Sequence, residues 1–373
     1  MPRLFLSAGD TSGDQHAAKL IRHLDGMVDG LEVEGLGGPE LAAAGCTIHE
    51  DLVQHSIFGF GGAIKALPEM FGVLRRTAGI LDARRPDAVV IVDYPGLNLF
   101  VARIAARRGI PVIYFVAPQL WAWAPWRVRR FARVVDEALV IFPFEVPFYR
   151  DAGIEATYIG HPLLDSLPDE APSEPAIAER PRPVALLPGS RPREVDKHMP
   201  LLLDTAKRLL EKHPDASFHS AHVSATGREH MLAAAESAGV PLGVHDDRVH
   251  AVMASCRCAI VASGTATLET ALFGTPQVLF YRTPRFEAFV GSWLVVPDDV
   301  GMVNLVAGRR ICPELLMVES DPDALAAAVM PLMTDSPEWQ AQKDAMAGLT
   351  DRLAGAGAVR RAAEHLARRL GSA

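Results

Sequence analysis

The sequence predicts an α/β fold built from two Rossmann-like, doubly wound domains that face each other across a cleft. Length is the first reason: 373 residues exceed what one ordinary core holds, so two domains are expected. The second is alternation. Short apolar runs closed by glycine, Asx or hydroxyl residues recur along the chain, each followed by a helical pattern, as in parallel sheets with crossover helices on both faces. The third is a break, "PDEAPSEPAIAERPRP", rich in proline and charge and without apolar periodicity. It divides the chain into residues 1–167, a linker at 168–183, and a second domain at 184–349. A C-terminal helix at about 350–373 is expected to pack back on the first domain.

Taken in order, the expected strands of the first domain are "LFLSAG", "LEVEGLG", "AVVIVD", "PVIYFVA" and "EALVIF". Those of the second are "VALLPGS", "ASFHSAHV", "GVPLGVHD", "CAIVASG" and "TPQVLFY". In open sheets of this type ligands sit beyond the carboxyl ends of the strands. The residues just after each run therefore carry the functional information.

Composition narrows the classes. Hydrophobic residues at 49% and charged residues at 22% describe a packed globular chain, and a formal net charge of −8 argues against general nucleic-acid binding. Yet Lys65 to Arg133 holds twelve Lys or Arg against Glu69, Asp82, Asp87 and Asp93. This basic region suits an anionic surface, or is a set of solvated helix faces. Cys46, Cys256, Cys258 and Cys312 read as reduced structural thiols, since Cys-Arg-Cys is too tight for a usual zinc knuckle. No secretory signal and no apolar run of transmembrane length are evident, so a cytoplasmic protein is expected.

Beyond the strands, "SAGDTSGD" is a glycine-rich loop opening a helix. "VDYPGLN" puts Asp93 at a strand end, either as a helix cap or as a catalytic base. "APQLWAWAPWR" brings Gln119, Trp121, Trp123 and Trp126 after another strand. In the second half, Gly189, Ser190 and Arg191 follow one strand, while Ser263, Gly264 and Thr265 follow another and would open a helix. Helix starts offer unpaired N–H groups and positive dipole ends, which favour anions. With Glu269 one turn on as acceptor of a sugar hydroxyl, a phosphate and a ribose would be held together.

These motifs, together with "GLGGPELAAAGC", "FPFE", "YIGHPLLD" and "NLVAGR", closely resemble the lipid-A-disaccharide synthases, inverting glycosyltransferases of the GT-B fold. That family joins UDP-2,3-diacylglucosamine to 2,3-diacylglucosamine 1-phosphate, releases UDP and requires no metal. The resemblance implies no cofactor, a UDP-sugar donor, a glycolipid acceptor, peripheral contact with the cytoplasmic membrane, and leaves a homodimer open. It assigns catalysis to Asp93 and Arg191. It assigns the donor to Gly189, Ser190, Ser263, Gly264, Thr265, Glu269 and Asn304, and the acceptor side to Asp10, Ser12, Gly13, Asp14 and Gln119.

The sequence departs from the family pattern at three positions. Asp10 stands where a glutamate is usual, Gly96 replaces a second acid, and Val303 replaces a proline. Two rivals therefore stay open: a UDP-sugar 2-epimerase acting on a soluble nucleotide sugar, and a membrane-associated UDP-sugar binder without turnover. Membrane access is expected from "HSIFGFGGAIKALPEMFGVLRR", where Ile57, Phe60 and Ile64 begin an apolar stripe at helical spacing with Phe58 beside it. The other reading of that stripe is core packing.

Overall fold

The structure is a computed structural model that describes residues 1–53, 67–122, 124–168, 170–282, 301–317 and 321–371. It divides into two compact units, Met1–Ser166 with Leu353–Ala373, and Leu167–Arg352.

The first unit is a seven-stranded parallel sheet in the order β3-β2-β1-β4-β5-β6-β7. Its strands are β1 (Arg3–Ala8), β2 (Glu32–Gly37), β3 (Thr47–Asp51), β4 (Ala88–Val92), β5 (Val112–Phe115), β6 (Glu137–Val140) and β7 (Glu155–Tyr158). Every residue of β4, "AVVIV", is buried, because helices cover both faces of a central parallel strand. Helix Thr11–Leu24 turns Ala17, Leu20, Ile21 and Leu24 inward. Helix Ala358–Gly371 belongs to the same unit. Asp165 caps it by accepting from the Gly357, Ala358 and Val359 amides, and the buried Glu137 pairs with His365 at 2.6 Å and Arg369 at 3.2 Å.

The second unit has six parallel strands in the order β10-β9-β8-β11-β12-β13. These are β8 (Pro183–Leu187), β9 (Ser217–His222), β10 (Leu242–Asp246), β11 (Cys258–Ala262), β12 (Gln277–Arg282) and β13 (Glu314–Met317). The stretch expected as linker is not bare chain throughout: Pro175–Ala178 forms a helical turn whose Ile177 is buried against Ala185 and Leu187. All four cysteines are free and buried, and burial pushes the Cys46 and Cys258 thiols up to about 12.

Each sheet reverses its winding at one place. In the first, β1 lies between β2 and β4, and Ala8 pairs with Val92 at the carboxyl ends. In the second, β8 lies between β9 and β11, and Leu187 pairs with Val261. Such switch points open a crevice between loops that diverge to opposite faces, the habitual ligand position of doubly wound sheets.

Candidate active site

At the first switch point β4 ends in an unusual turn. Asp93 and Tyr94 both have φ 45°, a left-handed conformation that costs non-glycine residues about 1–3 kcal/mol each and persists only where the surroundings enforce it. The enforcement is visible. Buried Asn98 donates through Nδ2 to the carbonyls of Val92 at 2.9 Å and Asp93 at 2.8 Å, while its Oδ1 accepts from Ser7 Oγ at 2.7 Å. The Tyr114 hydroxyl donates to the Asp93 carbonyl at 2.8 Å. The Tyr94 ring lies so close over Gly9 that a Cβ there would fall inside it, which binds the β1 loop to the β4 loop.

This turn gives Asp93 no side-chain capping bond to the helix that follows, Pro95–Ala106, which has Tyr94 at its N-cap. Asp93 Oδ1 instead accepts from the adjacent Tyr94 amide at 2.8 Å, and the residue lines a cavity of about 320 Å³ with Pro95, Gln119, Arg127 and Ile141. Burial, and then the negative charge of Asp10, raise its proton affinity above that of an ordinary carboxylate, against a smaller opposing effect of the Tyr94 amide. A rigidly held carboxylate of raised pKa at a cavity wall suits a general base.

The other residues of this loop divide. Asp10 caps its own helix, accepting from the Gly13 amide at 2.7 Å; Ser12 is exposed and Gly13 buried. Asp14 is buried and turned away. It accepts from the amides of Gly38 at 2.7 Å, Glu40 at 3.0 Å and Leu41 at 3.3 Å, so "SGD" and "GGPEL" are bound to each other and this carboxylate is committed to a second helix start. Gln119 lines the Asp93 cavity, on a loop fixed by the Tyr149 hydroxyl bonded to the Pro118 carbonyl. Trp121 is a strut: its indole N–H donates at 2.8 Å to Glu145, a wholly buried acid that also accepts from Ile141 and Phe142 and that burial pushes up to about 7.

At the second switch point the paired ends of β8 and β11 set Gly189 and Ser263 each two residues beyond the last pair. Helix Pro192–Lys212 starts there with Arg191 at its N-cap, and His198 in its second turn donates to the Pro188 carbonyl at 2.6 Å and packs edge-on to Phe280. Glu194 reaches back to accept from the Ser190 amide at 2.9 Å, the Arg191 amide at 3.2 Å and Arg191 Nη1 at 2.8 Å. Helix Thr265–Leu272 begins after Gly264 without a side-chain cap, which leaves its dipole end to any anion that reaches it. Glu269 on that helix lies 3.7 Å from His250 Nε2.

A family model described as "Lipid-A-disaccharide synthetase" matches residues 4–368. The chain belongs to the lipid-A-disaccharide synthase family. It is 35% identical to the lipid-A-disaccharide synthase of Nitrosococcus oceani, covering 97% of this chain and 95% of that one. It is 35% identical, with the same coverages, to the enzyme of that name from Geobacter sulfurreducens. Solved structures agree on the fold alone: a Staphylococcus aureus MnaA–UDP co-structure has TM-score 0.65 at 14% identity, over 100% of this chain and 97% of that one. The glycosyltransferase of kitacinnamycin has 0.62 at 19%, over 98% of each.

Of the residues singled out from sequence, Asp10, Ser12, Gly13, Asp14 and Asp93 follow the strands of the first switch point, Gly189 to Arg191 and Ser263 to Thr265 those of the second, and Gln119 follows β5. Asn304, which the resemblance assigns to the donor, is buried; among the described residues its side chain donates to Cys312 O at 2.9 Å and Glu314 Oε1 at 2.7 Å and accepts from the Ile311 and Cys312 amides. It anchors helix Met302–Ala307 to the segment before β13. Ile57, Phe58, Phe60, Ile64 and Trp123 lie outside the described residues. Sequence reasoning passed over Asn98, Tyr114, Glu145, Glu194 and His198. Asn98, Glu145 and Glu194 stand inside or next to motifs already singled out, and polar residues there were the available signal.

Proposed function

We propose that the chain transfers 2,3-diacylglucosamine from UDP to the 6-hydroxyl of 2,3-diacylglucosamine 1-phosphate, forming a β-1,6 disaccharide and UDP. The observation that carries this reading is Asp93, held in a left-handed turn by Asn98 and Tyr114, with raised proton affinity and a place in the cavity wall. Asp93 accepts the proton of the acceptor hydroxyl as its oxygen attacks the anomeric carbon. The bond to the diphosphate breaks on the opposite face, which inverts the configuration. Charge growing on UDP meets Arg191, the amides after Gly189 and the uncapped start of helix Thr265–Leu272, and Glu269 takes the ribose.

Family membership favours this over a UDP-sugar 2-epimerase: solved 2-epimerase structures share the fold at 11–13% identity. The reading includes a peripheral membrane site around Ile57, Phe58, Phe60 and Ile64. Supporting it, Phe71 in the adjoining helix is 65% exposed while Val73 and Leu74 face the core, and Arg75 beside them is exposed. No described helix is long and apolar enough to cross a membrane. The test is direct. Purified protein given diacylated donor and acceptor should yield a tetra-acyl disaccharide 1-phosphate and one UDP by mass spectrometry. Turnover of UDP-N-acetylglucosamine alone would point to the epimerase reading, and UDP binding without product to the non-catalytic one.

A further inference from the structure

The donor reading assigns the Ser190 and Arg191 amides and the Arg191 guanidinium to a diphosphate, yet all three already hold an anion. The Glu194 carboxylate accepts from Ser190 N at 2.9 Å, Arg191 N at 3.2 Å and Arg191 Nη1 at 2.8 Å. A glutamate at the third position of a helix often reaches back to the N-cap amide. This one goes further, taking the amide before the cap and the guanidinium as well. Its seat is shaped for it: Gly189 has φ 123°, and a Cβ there would run into Glu194 Oε2. Burial alone would raise its pKa, but the Arg191 guanidinium and the two amides outweigh it and hold the group below the usual glutamate range. Near neutral pH the seat therefore holds a full negative charge.

The two amide N–H groups cannot serve two anions at once, although Arg191, 78% exposed, keeps further N–H donors for a ligand. Resting on the donor reading, we infer that Glu194 is an internal competitor for the diphosphate subsite, and that it sets the donor specificity of this loop. A ligand gains these contacts only by displacing the carboxylate, which demands a more highly charged group than the carboxylate itself. UDP and pyrophosphate meet that demand; uridine gains nothing there. The Glu194 side chain is 32% exposed, so it has solvent to rotate into. With the seat filled in the free protein, apparent affinity is the intrinsic affinity reduced by the fraction of molecules whose seat is open.

Calorimetric titration of the full chain with UDP, inorganic pyrophosphate and uridine tests this in wild type, Glu194→Gln and Glu194→Asp. Gln keeps the length without the charge. Asp keeps the charge but is one methylene too short to reach Ser190, and serves if Gln folds poorly. The expectation is UDP and pyrophosphate binding tightened by about three- to tenfold, the scale of one or two charge-assisted hydrogen bonds partly released, with uridine unchanged. Equal or weaker UDP binding by a folded variant overturns the proposal and leaves Glu194 as a plain helix cap. Arg191→Ala separates the two layers. If it weakens UDP binding while Glu194→Gln does not strengthen it, only the competitor role fails. If wild type does not bind UDP, or Arg191→Ala leaves binding unaltered, the donor reading fails and the competitor role falls with it.

Discussion

Asp10, at the carboxyl end of β1, raises the proton affinity of Asp93, at the carboxyl end of the neighbouring β4. Burial is the larger cause, but Asp10 is the adjustable one. The Asp10→Asn variant should move the acid limb of the kcat/KM profile to lower pH, because Asp93 then ionises more readily. Asparagine caps a helix as well as aspartate, so Tm should hold. An unmoved acid limb would mean that the limb reports another group.

Arg191→Ala should weaken UDP binding by about tenfold or more and lower turnover with it, since a guanidinium at a helix start meets the diphosphate in ground and transition states alike. Lysine should restore part of the loss, lacking the bidentate fork. Calorimetry with UDP and initial rates measure both effects. Unchanged affinity would reduce "PGSR" to a turn.

Glu137 anchors the C-terminal helix from a buried position, with its pKa lowered: burial raises it, but the His365 hydrogen bond leads the interactions that outweigh burial. A depressed carboxylate stabilises the fold above its unfolded pKa, and that contribution is lost as pH falls through the folded value. Glu137→Gln should therefore destabilise the first unit by about 2 kcal/mol at pH 7, and the difference from wild type should shrink under acid. Urea melts across pH read this out. A constant difference would contradict the ionic account.

Replacing Phe58 and Phe60 together with serine should abolish co-sedimentation with anionic vesicles and raise the apparent KM for the lipid acceptor. UDP affinity and Tm should stay nearly unchanged. A large fall in Tm would instead place these aromatics in the core.

The sequence disclosed the strands that are buried on both faces, because they read as unbroken apolar runs such as "AVVIV". It did not disclose β3 "TIHED", β7 "EATY" or β13 "ELLM", which lie at sheet edges, where half-exposed strands accept charge and lose that signature. Site positions were legible because strand ends are marked by Gly, Pro and Asx. What those residues bond to was not. Asp14 and Asp10 belong to one motif, yet one is sealed by three amides of a distant helix start and the other caps its own helix. Asn304 sits in a matching motif, yet among the described residues its side chain bonds to the segment before β13. Such partners come from chain segments far apart in sequence, and motif spacing carries no record of them.

The central claim is that Asp93 is the base, and Asp93→Asn tests it most directly. The change is nearly isosteric, and it removes a carboxylate that the fold holds against its preference for the proton. Charging a group of raised pKa weakens the folded state above that pKa, so at pH 7 the variant's Tm should match or exceed that of wild type, an advantage that fades as pH falls. The decisive measurement is disaccharide formation, followed by mass spectrometry, beside UDP titration on the same preparation. The account predicts turnover lower by at least about a hundredfold with UDP affinity intact. Near wild-type turnover by a folded Asp93→Asn protein would contradict it.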